Sequence, residues 1–503
     1  MPDKTTKLNI GIIGCGRISD LHRPGYVDNP HAGIYAVCDT DAASAQAKKE
    51  AWAAEKVYTD YRELLEDPEV DAVEILTPQA LHEPMAVDAA RAGKHISLQK
   101  PMTTSLQSTD AILKAVASTN VVFRVSDNYL FYPPIVLARK MIDQGEIGIP
   151  SNIRIKMIAG GQGGWDVPSS AWEWRLAEKE AGRGLQTFDH GHHLWATAWY
   201  LLGSIERVSA WIDTLDGIVD SPAVIMWKHA AGPRYGSCEY VFAPDMHIPS
   251  KYYANDEWIE ISGSKGLIVI HRCTGEIDQG PGLSLFNGHD WRHVDDIETD
   301  WSSGFVGATH NFVNAVRGLE APLLSGKQGR ELMKINLAIA KSARQRREVY
   351  VDELDSLLPW LHTRRRIARE RKKESHRIGF LERLKPGTGD ARYAHRADEL
   401  TRLFVGRFNA AAAGKWQTEI GLHILAQGDI GERCFGLSIK DGKVALKAEG
   451  LPEQPEVVLT VPAGTWAAVL MRKKRIETAL IQGRLKVEGK AGIALKLRKV
   501  FGL

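Results

Sequence analysis

Short apolar runs separated by stretches of helical spacing fill the first part of the chain. A run at 8–13 leads into glycines, and further runs follow at 33–38, 70–76, 94–98 and 121–125, with a helical pattern over 82–92. Strands alternating with helices at this spacing predict βαβ units and a parallel sheet. Beyond about Asp127 the texture changes to polar–apolar alternation at 151–159, 205–212, 237–242, 258–261 and 266–271. Few helical patterns separate those segments, so a mostly antiparallel sheet with one covered face is expected. Helices are expected over 308–317 and 327–346, and a short strand at 349–351. A Lys385-Pro386-Gly387-Thr388-Gly389 linker then leads to a third unit. It opens with a helix to Ala413, has a hairpin turning at Asp441-Gly442 and a strand at 456–461, and closes with helices. No internal repeat is visible.

The expected organisation is therefore an α/β Rossmann domain at 1–126, then an α+β domain with a mostly antiparallel open sheet at 127–352. A basic helical linker at 353–390 and a C-terminal α+β domain at 391–503 complete it.

The 503 residues carry a formal charge of +2, with 44% apolar and 25% charged residues, an ordinary globular composition. The small total conceals an asymmetry. Residues 362–377 hold eight Lys/Arg and two Glu, a local +6 against −4 for the remainder. That block lacks interleaved aromatics and carries Glu370 and Glu374, so a solvated helical connector is expected and not a nucleic-acid surface. No apolar run approaches a membrane span, and the 8–16 segment is too short and glycine-broken for a signal core. Five scattered cysteines without a C-x-x-C pair argue against a disulfide framework and fit the cytoplasm.

Gly14-Cys15-Gly16-Arg17-Ile18-Ser19 stands where the first strand meets the first helix. The first glycine serves a tight turn, and the second admits a pyrophosphate close to the backbone. Ser19 takes the place of a third glycine and is small enough for helix–strand contact. Asp39 ends the second strand, where a carboxylate binds a ribose diol and repels a 2′-phosphate. Thr40 and Asp41 follow it with no basic residue, so NAD is expected over NADP.

Three further stretches carry a resemblance: the 71–82 segment DAVEILTPQALH, Gln99-Lys100-Pro101, and Asp189-His190-Gly191-His192-His193. With the fingerprint and Gly145-x-x-Gly148, they make residues 7–351 resemble the glucose-fructose oxidoreductase / inositol dehydrogenase / rhizopine-catabolism (Gfo/Idh/MocA) oxidoreductases. The resemblance implies a dehydrogenase of CH–OH groups that assembles as a homo-oligomer. It implies cofactor contacts at Gly14, Gly16, Arg17, Ile18, Asp39, Thr77, Pro78, His82, Gln99 and Lys100. Oxidising a carbinol needs a base for the hydroxyl proton and a cation for the charge growing on oxygen. His193 is expected as general base, Lys100 as the group polarising the hydroxyl, and Asp189 as the orienter of substrate or base. Gln99 departs from the family's glutamate, which is expected to alter the cofactor side. No metal is expected, because only His190 and His193 of the histidine cluster share a helix face.

Ten of fourteen tryptophans fall between Trp165 and Trp301. Indole faces suit sugar rings, so Trp165 and Arg175 are expected near substrate, with Asn128 beside them by resemblance. A sugar, glycoside, polyol or related cyclic compound is implied, and an anionic ring stays open. Residues 391–503 resemble sterol-carrier-protein-2-like domains through 439–443, 457–461 and 479–489. Packing or assembly is favoured for this unit over an apolar ligand, because no polar site chemistry stands out. Two alternatives remain at this point: a redox-neutral NAD-using glycoside-cleaving enzyme, and a non-catalytic sensor or lipid-binding scaffold.

Overall fold

A computed structural model describes residues 7–502 except 216, 357–365, 367, 369–387, 448, 449 and 491. The chain forms two compact units, Met1–Thr363 and Arg364–Leu503. Nearly all of the basic block and most of the expected linker lie outside the described residues.

The first unit opens with a six-stranded parallel sheet. Its strands are β1 (Leu8–Ile13), β2 (Ala32–Cys38), β3 (Lys56–Tyr58), β4 (Ala72–Ile75), β5 (His95–Gln99) and β6 (Phe123–Ser126), in the order β3-β2-β1-β4-β5-β6. The order reverses between β1 and β4, which opens a crevice at the carboxyl ends of those strands. Strand β3 is the one the apolar pattern did not announce: it is a three-residue edge strand with an exposed first residue. Helices α1 (Ser19–His22), α2 (Ala42–Trp52), α3 (Tyr61–Glu66), α4 (His82–Arg91) and α5 (Leu106–Ala117) connect the strands. Asp41 caps α2 by accepting from Ala43 N and Ser44 N, and Ser105 caps α5 through Ser108 N. Helix α1 is a single turn. It passes into a 3-10 turn, Arg23–Gly25, where Pro24 removes a backbone donor.

Helix α6 (Pro133–Asp143) then leads to a nine-stranded sheet, ordered β14-β13-β12-β11-β7-β10-β9-β8-β15. Its strands are β7 (Pro150–Gly163), β8 (Ile205–Ile212), β9 (Ala223–His229), β10 (Tyr235–Ile248), β11 (Asn255–Gly263), β12 (Leu267–Ile270), β13 (Leu283–Phe286), β14 (Trp291–Val294) and β15 (Val349–Tyr350). Every pair is antiparallel except β7 with β10. Helices α7 (Ser169–Glu180), α8 (Gly191–Leu202), α9 (Ser303–Val316) and α10 (Gly326–Gln345) complete the unit. Helix α10 links the two sheets: Val125 N donates to Leu324 O just before it, and Ser342 Oγ near its end accepts from Ala210 N of β8. One hydrophobic core runs from Ile75 and Leu98 through Trp195 and Met333 to Ile259 and Leu283.

The second unit has a five-stranded sheet ordered β18-β17-β16-β19-β20, from β16 (Thr418–Leu425), β17 (Arg433–Lys440), β18 (Lys443–Lys447), β19 (Val457–Pro462) and β20 (Lys486–Gly489). Asp441 and Gly442, both at positive φ, form the turn that the Asp-Gly pair announces. Phe404 stacks on Phe501 at 4.2 Å and meets Trp466 edge-on at 5.8 Å, so aromatic rings fill this unit's core.

Candidate active site

The fingerprint loop separates the requirements of its two glycines. At Gly14 (φ +102°) an added Cβ would stand 2.9 Å from the Leu76 carbonyl carbon, because the loop after β1 packs directly on the backbone after β4. At Gly16 a Cβ would meet no protein atom within 4 Å, and the residue is exposed. The protein needs the first glycine; the open backbone at the second suits a pyrophosphate. Asp39 is half-buried, and its carboxylate accepts from Cys15 N at 2.8 Å and Asp41 N at 3.0 Å. Those bonds aim it across the loop and leave lone pairs for a ribose diol. Ser19 closes the turn, donating from Oγ to Gly16 O at 2.6 Å. Arg17 is exposed and Ile18 half-buried at the same edge, so these residues fit a dinucleotide. Gly14→Ala is expected to cost about 1–3 kcal/mol of stability through backbone strain, read by thermal melting. Gly16→Ala is expected to leave melting unchanged while weakening NADH binding at least about tenfold, read by fluorescence titration.

Thr77 and Pro78, both half-buried, line the next loop. His82, expected against the cofactor, is instead fully buried. Its Nδ1 lies 3.0 Å from Pro101 O and its Nε2 2.9 Å from Thr77 O, so it ties the loop after β4 to the loop after β5. Gln99 also faces inward. Its Oε1 accepts from Lys100 N at 2.8 Å, and its Nε2 donates to His22 Nε2 at 3.1 Å. His22 in turn donates through Nδ1 to the fully buried Glu74 at 2.9 Å. An amide at position 99 thus bridges His22 and the Lys100 backbone.

Lys100 reaches Asp189, with Nζ 2.9 Å from Oδ1 and 3.1 Å from the main-chain oxygen. Asp189 lies in a π-helical turn, Leu185–His190, that feeds α8. Asp220 nucleates that turn by accepting from Gln186 N at 2.7 Å and Thr187 N at 2.8 Å. Burial pushes the Asp189 carboxyl up, but the Lys100 and Arg175 charges outweigh it and hold it below its usual range.

One turn later His193 directs Nδ1 to Asp127, not to Asp189. Asp127 Oδ1 lies 2.8 Å from His193 Nδ1, and Oδ2 lies 3.0 Å from His192 Nδ1. Asp127 is 1% exposed at the carboxyl end of β6. Despite burial, the two histidines keep its carboxyl far below the usual carboxylate range. Burial lowers the His193 imidazole to about 4, with Lys100 adding to the effect and Asp127 opposing it. Tyr129 stacks on the His193 ring at 4.3 Å and bonds Glu257 at 3.1 Å. His190 Nε2 lies 2.8 Å from the same Glu257, off hydrogen-bond geometry. The three histidines of the cluster therefore face two different carboxylates.

Trp165 is half-buried and packs edge-on to Tyr252 and Tyr253 at 5.6 and 5.1 Å, and Tyr252 meets Trp301 at 5.1 Å. Arg17 lies over the Trp165 ring at 5.1 Å, joining this aromatic wall to the fingerprint loop. Arg175 approaches Tyr253 from α7. Asn128 is 2% exposed, and its amide nitrogen has no partner among the described residues. Asp127 was absent from the expected site. Its signal was position alone: a carboxylate ending the last parallel strand, at the edge where Lys100 ends β5.

Residues 8–127 match the family model described as an oxidoreductase family with an NAD-binding Rossmann fold, and residues 135–269 match the GFO/IDH/MocA C-terminal domain. The chain belongs to the Gfo/Idh/MocA oxidoreductase family. Its residues 8–127 carry that family's NAD-binding Rossmann fold. Residues 410–502 match the SCP-2 sterol transfer family.

Levoglucosan dehydrogenase of Pseudarthrobacter phenanthrenivorans is 31% identical over 218 residues, 41% of this chain and 54% of that protein. An uncharacterized oxidoreductase, YrbE of Bacillus subtilis, is 37% identical over 30% of this chain and 44% of its own length. The chain thus spans about half the length of these two relatives. Myo-inositol 2-dehydrogenase of Thermotoga maritima is 25% identical and is matched over 99% of its length by 69% of this Gfo/Idh/MocA chain. A solved levoglucosan dehydrogenase in complex with NADH superposes with a TM-score of 0.60 at 25% identity, covering 69% of this chain and 99% of that one.

Proposed function

We propose that the chain oxidises a ring hydroxyl of a sugar, glycoside, polyol or related cyclic compound to the ketone, reversibly, with His193 as base and Lys100 as the polarising cation. The observation that carries this reading is the division of labour between two carboxylates. Asp189 and its main-chain oxygen engage two of the three Lys100 donors, leaving one N–H for a substrate oxygen. Asp127 holds His193 by Nδ1, so the neutral ring offers its Nε2 lone pair as proton acceptor. Bound NAD supplies the hydride acceptor. The Lys100 ammonium stabilises the negative charge that grows on the carbinol oxygen as His193 removes its proton. The relatives named above for levoglucosan and myo-inositol support a cyclic polyhydroxylated substrate.

A screen of sugars, polyols, aryl glycosides, dihydrodiols and sterols, followed by NADH absorbance, tests the proposal. Net NADH release with one ring class is the expected result. Product formed without NADH would point to redox-neutral glycoside cleavage instead.

The same reading makes the protein a cytoplasmic homo-oligomer. Its five cysteines are free, and the outer face of the nine-stranded sheet exposes Trp211, Val224, Met226 and Tyr235 on neighbouring strands. An apolar patch on adjoining strands favours burial against a copy of itself. The double variant W211E/M226E is expected to shift the light-scattering mass to that of a monomer. The C-terminal domain is read as a packing module, supported by its ring-filled core. Native mass spectrometry that finds a co-purified lipid would reverse that reading.

A further inference from the structure

We propose that the substrate is a ring acid, a hydroxylated ring bearing one carboxylate, and that Arg175 is the residue that selects it. This rests on the dehydrogenase reading above and narrows its substrate class.

Arg175 stands in the middle of α7, half-buried. Its guanidinium lies 4.7 Å from the Trp174 ring centroid and 6.0 Å from that of Tyr253. Tyr253 belongs to the aromatic wall with Trp165 and Trp301, and the Arg175 charge is felt by the Asp189 carboxylate beside Lys100. The cation therefore flanks the reacting centre and borders the surface on which a ring would lie.

Its own partners are weak. Nη1 donates to Ala171 O at 3.3 Å, and Nη2 reaches Tyr253 Oη at 3.5 Å, the outer limit of a hydrogen bond. Neither acceptor is charged, and no carboxylate pairs with Arg175 among the described residues. The acid one turn further along the helix, Glu178, is committed to Arg183 and to Gln79 Nε2 at 3.0 Å. The other ionisable groups at the centre have partners: Lys100 pairs with Asp189, Asp127 accepts from His192 and His193, and Glu257 accepts from Tyr129 and Thr274. Arg17, the second guanidinium on the wall, sits exposed at the fingerprint loop.

A half-buried guanidinium beside two aromatic rings, with donors to spare, presents the fork that recognises a carboxylate through two parallel hydrogen bonds. A single such fork matches one negative charge. A phosphate ester brings close to two, and Asp189 would oppose the excess.

The test is steady-state NADH formation with matched pairs: glucuronate, its methyl ester and glucose; galacturonate, its methyl ester and galactose; and glucose 6-phosphate. The acids are expected to exceed their neutral partners in kcat/KM on the order of 100-fold. R175M should collapse that ratio towards one, and R175K should restore part of it without the full bidentate advantage. Equal turnover of acids and neutral partners by the wild-type protein would overturn the proposal and leave the dehydrogenase reading intact. Preference for the phosphate, or R175M lowering both members of each pair alike, would also overturn it. Should no compound be oxidised, calorimetry of the NADH-loaded protein with the uronates decides. Absence of binding overturns the proposal, and binding lost in R175M upholds it.

Discussion

Replacing Lys100 by Met and His193 by Gln together is expected to abolish NADH formation while leaving NADH affinity within about tenfold of wild type. His193→Gln alone should lower kcat by about 10²–10⁴, the usual contribution of a positioned base. The double variant should fall less than the product of the single effects, because the two groups act on one O–H bond and share its transition state. Turnover unchanged in the double variant would sink the assignment. The pH profile supplies an independent check. Burial drives the His193 imidazole down to about 4, so the base stays unprotonated through neutrality. In the free enzyme, kcat/KM should hold level as pH falls through 6.5 and decline only near 4. A decline centred near 6.5 would point to a solvated histidine and contradict this geometry. The sign for stability follows the same shift. The folded protein binds fewer protons at His193 than the unfolded chain between about 4 and 6.5. This contribution is therefore present above that window and is lost as pH falls through it.

Asp127→Asn should be nearly as damaging, although Asp127 is buried and acts through the histidines it holds. The carboxylate receives N–H groups from two histidines at once, at 2.8 and 3.0 Å. An amide has one acceptor oxygen and a donor nitrogen, so one histidine must turn or change tautomer. If His193 carries its proton on Nε2, the lone pair that takes the substrate proton is gone. The expected loss is about 10²–10⁴ in kcat with KM little changed, measured by steady-state kinetics. Retained NADH binding and an unchanged circular dichroism spectrum would separate this from misfolding. A purely structural role for Asp127 would lower the melting temperature and leave kcat of the folded fraction intact.

The parallel sheet was legible because its central strands are buried on both faces and read as continuous apolar runs, as at Ile10, Ile12, Val73 and Ile75. Strand β3 was not, since an edge strand of three residues leaves no run to read. Strands β13 and β14 were missed for the related reason that four residues are too few for a sustained pattern, and β14 also exposes Trp291 and Arg292. At the site, Lys100, Asp189 and His193 were visible because they stand in compact local motifs. Their partners were not: Asp189 was expected to orient substrate or base, and the π-helical turn carries its carboxylate to Lys100.

Local spacing by itself determined the dinucleotide loop, the acid at Asp39, the lysine after β5 and the Asp-Gly turn of the C-terminal domain. Each of those depends on backbone conformation or charge within one strand–turn–helix. Only the tertiary structure decided which carboxylate serves which base. Asp127 and His193 are 66 residues apart, and Arg175 and Tyr253 are 78 apart. Contacts across such separations are set by how the two sheets pack around α8 and α10. No local pattern encodes that packing, because many distant side chains determine it together.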